Sequence, residues 1–194
     1  NRQNDFSFCR FCDITVQVIK MDELQKRKTP RYQSYDYNRA GAYFITICTQ
    51  NRQCILSRIV GTGVLDCPRP ELTAYGRIAE KYIRQLNDFY NHISVDGYVI
   101  MPNHIHLLLL IKEDRMDNGQ SGTPVPTNVA RANSTCAQFI STLKRFCNKE
   151  YGKNIWQARF YDHIIRSRDD YNEHISYIDE NPVRWFYDEL YAAE

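Results

Sequence analysis

A chain of 194 residues is long enough for one domain with a sizeable core. Hydrophobic content of 43% and charged content of 25% are those of an ordinary globular protein, and no apolar run approaches the length of a membrane span, so no membrane partner is expected. The net charge of +2 excludes a uniformly basic nucleic-acid binder, and the seven scattered cysteines fit free thiols in a reducing, cytoplasmic compartment better than a disulfide framework.

Residues 1–20 show neither capping nor periodicity and read as an extension outside the fold, with the domain expected over 21–194. Cys9 and Cys12 make one pair at zinc-site spacing, but no second pair follows. Lys26, Arg27, Lys28 and Arg31 then cluster beside Tyr32, Tyr35 and Tyr37, a basic and aromatic mixture suited to single-stranded nucleic acid. Charge runs are more often solvated faces, so this hint is weak alone.

The β-branched and aromatic run over 42–49 predicts a strand. Residues 54–68, with Gly61, Gly63 and Pro68, predict a hairpin or loop. From Leu72 to Phe89 the apolar residues follow helical spacing. Two strands are predicted over 92–101 and 104–111, joined at Pro102-Asn103 in a tight turn. The second begins His104-Ile105-His106 and continues apolar on both faces, as a covered central strand does. With a period of two, both imidazoles share a face. A lone histidine there would cap the strand end; a pair offers a divalent cation two nitrogen ligands from one rigid element.

Residues 115–133 are rich in Gly, Pro, Ser, Thr and Asn and predict a long loop. A helix is predicted from Thr135 to Tyr151, stopped by Gly152. Basic residues return here, among them Lys144, Arg145, Arg159 and Arg166, interleaved with Phe146, Tyr151, Trp156 and Phe160. Residues 155–165 read as extended. A last helix has Ser167 as N-cap and Asp170 completing a capping-box pattern, and Pro182 is expected to end it at Asn181. The element order predicts an α+β, ferredoxin-like sandwich, an antiparallel sheet with helices on one face.

On that last helix His174, Tyr177, Ile178 and Asn181 fall on one face. A surface tyrosine and a helix-ending asparagine would explain Tyr177 and Asn181. Were the helix to lie across the sheet near His104, Asn181 could instead complete a metal site, with Tyr177 facing it as nucleophile. Tyr161 and Tyr171 are the rival tyrosines; neither has a carboxamide four residues on. His163 reads as a core or supporting residue, and His174 as a helix residue able to orient Tyr177.

The run Val99-Ile-Met-Pro-Asn-His-Ile-His106 resembles the histidine–hydrophobic–histidine (HUH) motif of single-tyrosine nucleases, and Tyr177-Ile-Asp-Glu-Asn-Pro182 resembles their tyrosine helix. With residues 31–49, 155–166 and 181–185, the chain from about Met21 onward is similar to the REP-associated tyrosine transposases, relatives of insertion-sequence transposases. That resemblance implies a metal-dependent transposase that cuts single-stranded DNA beside a palindromic hairpin. It implies Tyr177 as nucleophile, His104, His106 and Asn181 as ligands of Mg²⁺ or Mn²⁺, and a 5′-phosphotyrosine link with a free 3′-hydroxyl. Relatives often carry Gln at the Asn181 position. No Walker-type glycine-rich loop is present, consistent with chemistry that conserves the phosphodiester energy. The resemblance leaves monomer and homodimer both open. Two other readings compete: a non-catalytic hairpin binder on the same fold, and a hydrolase that activates water instead of Tyr177.

Overall fold

The computed structural model describes residues 39–61, 67–112, 134–188 and 190. The expected 1–20 extension, the Cys9/Cys12 pair, the basic cluster Lys26, Arg27, Lys28 and Arg31, and the 115–133 loop lie outside the described residues.

In chain order the elements are β1 (Gly41–Cys48), β2 (Ser57–Val60), β3 (Arg69–Leu72), α1 (Ala74–Phe89), β4 (Ile93–Ile100), β5 (His104–Ile111), α2 (Thr135–Tyr151), β6 (Tyr161–Ile165) and α3 (Arg168–Arg184). Four strands form one antiparallel sheet in the order β4-β5-β1-β6. The irregular stretch after residue 54 resolves into the small hairpin β2-β3. Among the described residues, no helix is long and apolar enough to cross a membrane.

Strand alternation divides the protein into two layers. Tyr43, Ile45 and Ile47 of β1 and Ile105, Leu107 and Leu109 of β5 face α1 and α2, meeting Ile83, Leu86, Phe139, Ile140 and Leu143 in the main core. Phe44, Val99, Met101 and Leu108 face the other way and pack on Ile178 and Trp185, in α3 and just beyond it. So α1 and α2 share one face as expected, while α3 covers the opposite one. The physical reason is the composition of β5, which is apolar on both faces and must be covered on both.

Three local devices set the helices. Thr73 caps α1, its side chain accepting from the Gly76 N–H and donating to the Leu56 carbonyl. Gly152 ends α2 as expected, with φ +70° in the left-handed region that glycine alone adopts cheaply. Ser167 caps α3 by accepting from the Asp170 N–H at 3.1 Å.

Helix α3 does not stop at Asn181; it runs through a buried Pro182 to Arg184. An interior proline costs about 3 kcal/mol through its lost hydrogen bond and ring clash. Here it falls in the last turn, and continuing the helix buries Trp185 to 5% exposure. Burying that aromatic side chain gains roughly 4–6 kcal/mol. Burial wins.

Gly76 is where α1 touches the β1–β2 connection: a Cβ there would lie 2.1 Å from the Leu56 carbonyl oxygen. Alanine in a helix normally gains about 1 kcal/mol over glycine. At this position backbone must move to admit it, so Gly76→Ala is expected to lose about 2 kcal/mol net in urea unfolding. Unchanged or increased stability would show that the contact gives way.

Candidate active site

The turn Met101–His104 carries the site and is held from three sides. The Met101 N–H donates to the His104 carbonyl at 2.9 Å, closing the β4-β5 hairpin. The Leu56 N–H donates to the Pro102 carbonyl, and Thr49 donates to the Asn103 carbonyl from both its N–H and its hydroxyl. The histidines that follow are therefore fixed before any ligand arrives.

His104 and His106 share the α3 side of the sheet, with Ile105 in the core behind them, as the period-two reading requires. They are 0% and 3% exposed, with ring centroids 4.5 Å apart. Each Nδ1 has a partner: His104 pairs with Asn103 Oδ1 at 2.8 Å, and His106 with Thr46 Oγ1 at 2.9 Å, its cross-strand neighbour. Asn103 Oδ1 can only accept, so His104 carries its proton on Nδ1 and turns a lone pair outward from Nε2. Both Nε2 atoms are buried without a hydrogen-bond partner. Burial pushes the His104 pKa down to about 4, Asp188 acting against the shift and Arg52 with it. Burial, then His104 and His174, hold His106 well below the ordinary range. Both imidazoles are neutral near pH 7, the form that binds metal.

Helix α3 brings the second half. Gly97 on β4 leaves room for it: a Cβ there would meet Ile175 Cδ1 at 3.1 Å. Tyr177 lies with its ring centroid 5.2 Å from that of His106 and 5.9 Å from that of Phe44, and is 37% exposed. Asn181, one turn later, is 1% exposed, and its Oδ1 is a third buried oxygen or nitrogen without a partner. The structure thus places Tyr177, Asn181, His104 and His106 together, α3 lying on the histidine side of the sheet.

Three residues of the site escaped the sequence reading. Asn103 and Thr46 orient the imidazoles, a role written in the turn and in the strand register rather than in any motif. Asp188 is the third. Its Oδ2 accepts from Asn181 Nδ2 at 3.1 Å and from the Tyr177 hydroxyl at 3.4 Å, and its Oδ1 accepts from the Leu190 N–H at 2.6 Å. Asn103 Nδ2 donates to the Leu190 carbonyl at 2.7 Å, fastening that segment beside the turn. One ligand atom each from His104, His106 and Asp188 lies within 4.8 Å of the others, a group able to hold a metal ion.

The donors fit a divalent cation. Two neutral imidazole nitrogens with supported Nδ1 atoms, a carboxamide oxygen and a nearby carboxylate form a mixed N/O set. Three orphaned buried polar atoms in one place would each cost about 1–3 kcal/mol with no partner.

His163, Asp170 and His174 form a second group with ligand atoms within 4.8 Å of one another. Asp170 accepts from His163 Nε2 at 3.0 Å and lies 3.1 Å from His174 Nδ1, which also donates to the Asp170 carbonyl. The two rings stack, centroids 4.6 Å apart and planes 17° apart. Near-parallel stacked rings cannot both aim an in-plane lone pair at one ion, so this group clamps β6 to α3. Partial burial acts upward on the Asp170 carboxyl, but the Arg166 N–H and His163 hold it below the usual range. His163, read as a core or supporting residue, is solvent-exposed and does the supporting work.

Of the basic residues expected on nucleic acid, Arg145, Arg159 and Arg166 are exposed. Lys144 is half-buried and donates to the carbonyls of Gln157 and Arg159, and burial brings its pKa down to about 8. Its ammonium holds the 157–159 segment in place.

No family model matches the chain. A protein of Haemophilus influenzae without an assigned function is 28% identical over 179 residues, 87% of this chain and 95% of that one. A second Haemophilus influenzae protein, named for the REP-associated tyrosine transposases, is 30% identical over 156 residues, 80% of this chain and 77% of its own. The REP-associated tyrosine transposase of Escherichia coli K12 is 26% identical, over 79% of this chain and 72% of its own. Among solved structures, a REP-associated tyrosine transposase bound to a REP hairpin superposes with a TM-score of 0.56 at 23% identity, covering 82% of this chain and 74% of that one.

Proposed function

Because the chain belongs to the REP-associated tyrosine transposases, we propose that it cuts and rejoins single-stranded DNA beside a hairpin, with Tyr177 as nucleophile. One observation carries the reading: His104 Nε2, His106 Nε2 and Asn181 Oδ1 are buried without partners beside a tyrosine that solvent can reach. A merely structural histidine pair would have both ring nitrogens satisfied.

His104, His106 and Asn181 would hold Mg²⁺ or Mn²⁺. When bound, the cation offsets charge developing on the non-bridging oxygens of the scissile phosphate. Tyr177 attacks phosphorus through its phenolic oxygen; the Tyr–O–P bond forms as the P–O3′ bond breaks. The tyrosyl proton leaves, and the departing 3′-oxygen ends as a hydroxyl. The 5′-phosphotyrosine keeps the phosphodiester energy, so a 3′-hydroxyl can attack it and reseal a strand. Free tyrosine titrates near ~10, so its phenolate is scarce at neutral pH and needs help at the site.

The ring of Tyr177 sits beside His106 of the same chain. One chain therefore supplies every group in the reaction, and a monomer suffices; a homodimer is not required. Exposed Arg145, Arg159 and Arg166, with the N-terminal cluster Lys26, Arg27, Lys28 and Arg31, would contact phosphates and position the strand without reading its sequence. A cytoplasmic, nucleoid-associated activity follows from that substrate.

The test is a set of end-labelled DNA hairpins with single-stranded flanks, incubated with the protein and Mn²⁺ and resolved under denaturing conditions. The expected product is the 3′-side fragment linked to the protein through its 5′-phosphate, together with a 5′-side fragment ending in a 3′-hydroxyl, both lost with EDTA. Hairpin binding without an adduct would favour the non-catalytic binder. Cut DNA with no linked protein would favour attack by water.

A further inference from the structure

Two imidazoles and a carboxamide are all neutral, so the metal site of the proposed function would hold a doubly charged ion with no anionic ligand. We propose that Asp188 supplies it: its carboxylate is a fourth, anionic ligand of the same ion and the residue that aims Asn181 at it. The inference rests on the proposed function for the presence of a metal and adds what holds and selects it.

Four observations converge on Asp188. Its carboxylate is grouped with His104 and His106, ligand atoms all within 4.8 Å. It accepts from Asn181 Nδ2 at 3.1 Å, so turning that amide over would set two oxygens against each other. Asp188 thereby fixes Asn181 with Oδ1, the orphaned atom, directed elsewhere. The carboxylate itself is anchored by the Leu190 N–H at 2.6 Å, and Leu190 is anchored by Asn103, the residue that orients His104. One short network thus positions donors from the turn, α3 and the segment after it. A carboxylate has about four acceptor sites, and three donors occupy it here, so one stays open to an ion. The position is half-buried, where a lone carboxylate is tolerated without a fixed cation and strengthens one that arrives.

The donor chemistry sets the preference. Imidazole nitrogens suit borderline ions, and carboxylate and carboxamide oxygens suit hard ones, so N₂O₂ favours Mn²⁺ over Mg²⁺, which prefers oxygen. Without Asp188 the remaining set shifts towards the softer end. Asp188→Asn keeps an oxygen in place and removes the charge, so Mn²⁺ affinity should fall on the order of tenfold or more, with less loss for Zn²⁺ or Co²⁺.

Metal binding to the whole protein, without DNA, tests this. Mn²⁺ affinity is read by electron paramagnetic resonance of the free ion in the unsubstituted protein and in D188N. In parallel, D188C is titrated with Co²⁺ and watched for a thiolate-to-cobalt charge-transfer band, which arises only from a direct bond. The expected result is tight Mn²⁺ binding by the unsubstituted protein, a tenfold or greater loss in D188N, and the band in D188C. Equal Mn²⁺ affinity in D188N and no band would overturn the inference while leaving the proposed function standing. Weakened binding without the band would also overturn it, assigning Asp188 to the orientation of Asn181 alone. No Mn²⁺ binding by the unsubstituted protein would remove both this inference and the metal in the proposed function.

Discussion

Tyr177→Phe is expected to bind hairpin DNA as well as the unsubstituted protein and to form no covalent adduct, with cutting down on the order of 10³-fold or more. The phenyl ring keeps the edge contacts to His106 and Phe44, centroids 5.2 Å and 5.9 Å away, so the fold and the His pair are undisturbed. Only the hydroxyl is lost, along with its 3.4 Å approach to Asp188. The control that matters is Tyr161→Phe. In the sheet register Tyr161 on β6 stands opposite Thr46, and Thr46 stands opposite His106. Tyr161 is therefore in the same row and on the same face as His106, about 10 Å away at two strand spacings, and it is 42% exposed. Tyr171 is packed against the Ile178 and Trp185 cluster instead. If the adduct survives Tyr177→Phe and disappears in Tyr161→Phe, the nucleophile has been misassigned and the row across the sheet, not the helix, carries it. Loss in Tyr177→Phe alone settles the assignment, and a weakened adduct in Tyr161→Phe would give the Tyr161 hydroxyl a contact with the bound strand.

How much of this was legible from residues alone divides along a physical line. Periodicity and capping are local, and they placed β1, β4, β5, α1 and α2 to within a residue or two; Thr135–Tyr151 and its Gly152 stop were matched residue for residue. The His-x-His pair was legible because strand alternation alone puts both rings on one face. Tyr177 and Asn181 were legible as a helix face, but their meeting with the histidines was conditional on where α3 packs. That depends on Gly97, which clears space for Ile175, and on a sheet apolar on both sides. The proline rule failed at Pro182 because it counts a lost hydrogen bond and not the burial of Trp185 beyond it. Asp188 stands seven residues after Asn181, a helical spacing, but beyond Pro182 and a short 3-10 turn at Trp185–Tyr187, where nothing local in the sequence continues the helix face to it. Thr46 is one threonine in an ordinary strand until the register sets it against His106. Long-range register and irregular segments are where pattern reading ends.

The double variant Thr46→Val with His106→Leu is expected to abolish cutting and metal response while leaving the metal-free protein at least as stable as before. His106 is 3% exposed with one ring nitrogen unpaired, a standing cost of about 1–3 kcal/mol without an ion. Changing His106 alone would strand the Thr46 hydroxyl, its 2.9 Å partner; replacing both removes the pair together, which is the near-neutral or stabilising case. The unsubstituted protein should recover the cost when metal binds, by about 2.7 kcal/mol at a hundredfold excess over Kd. Urea unfolding with and without Mn²⁺ therefore separates the two proteins: a metal-dependent rise in one, none in the other. Acid adds a second axis. Both histidines have folded-state pKa values below the unfolded 6.5, His104 at about 4. The unfolded chain then takes up protons that the folded one refuses, so stability is full above pH 6.5 and falls as the pH drops towards 4. His104 alone contributes about 3 kcal/mol of that loss, and His106 adds to it until it is replaced by leucine. The double variant should consequently lose less stability between pH 7 and pH 4.5 than the unsubstituted protein. A metal-free double variant several kcal/mol weaker at pH 7 would mean that the imidazole is already satisfied, and the site would then be a structural pair rather than a metal centre held open for the reaction.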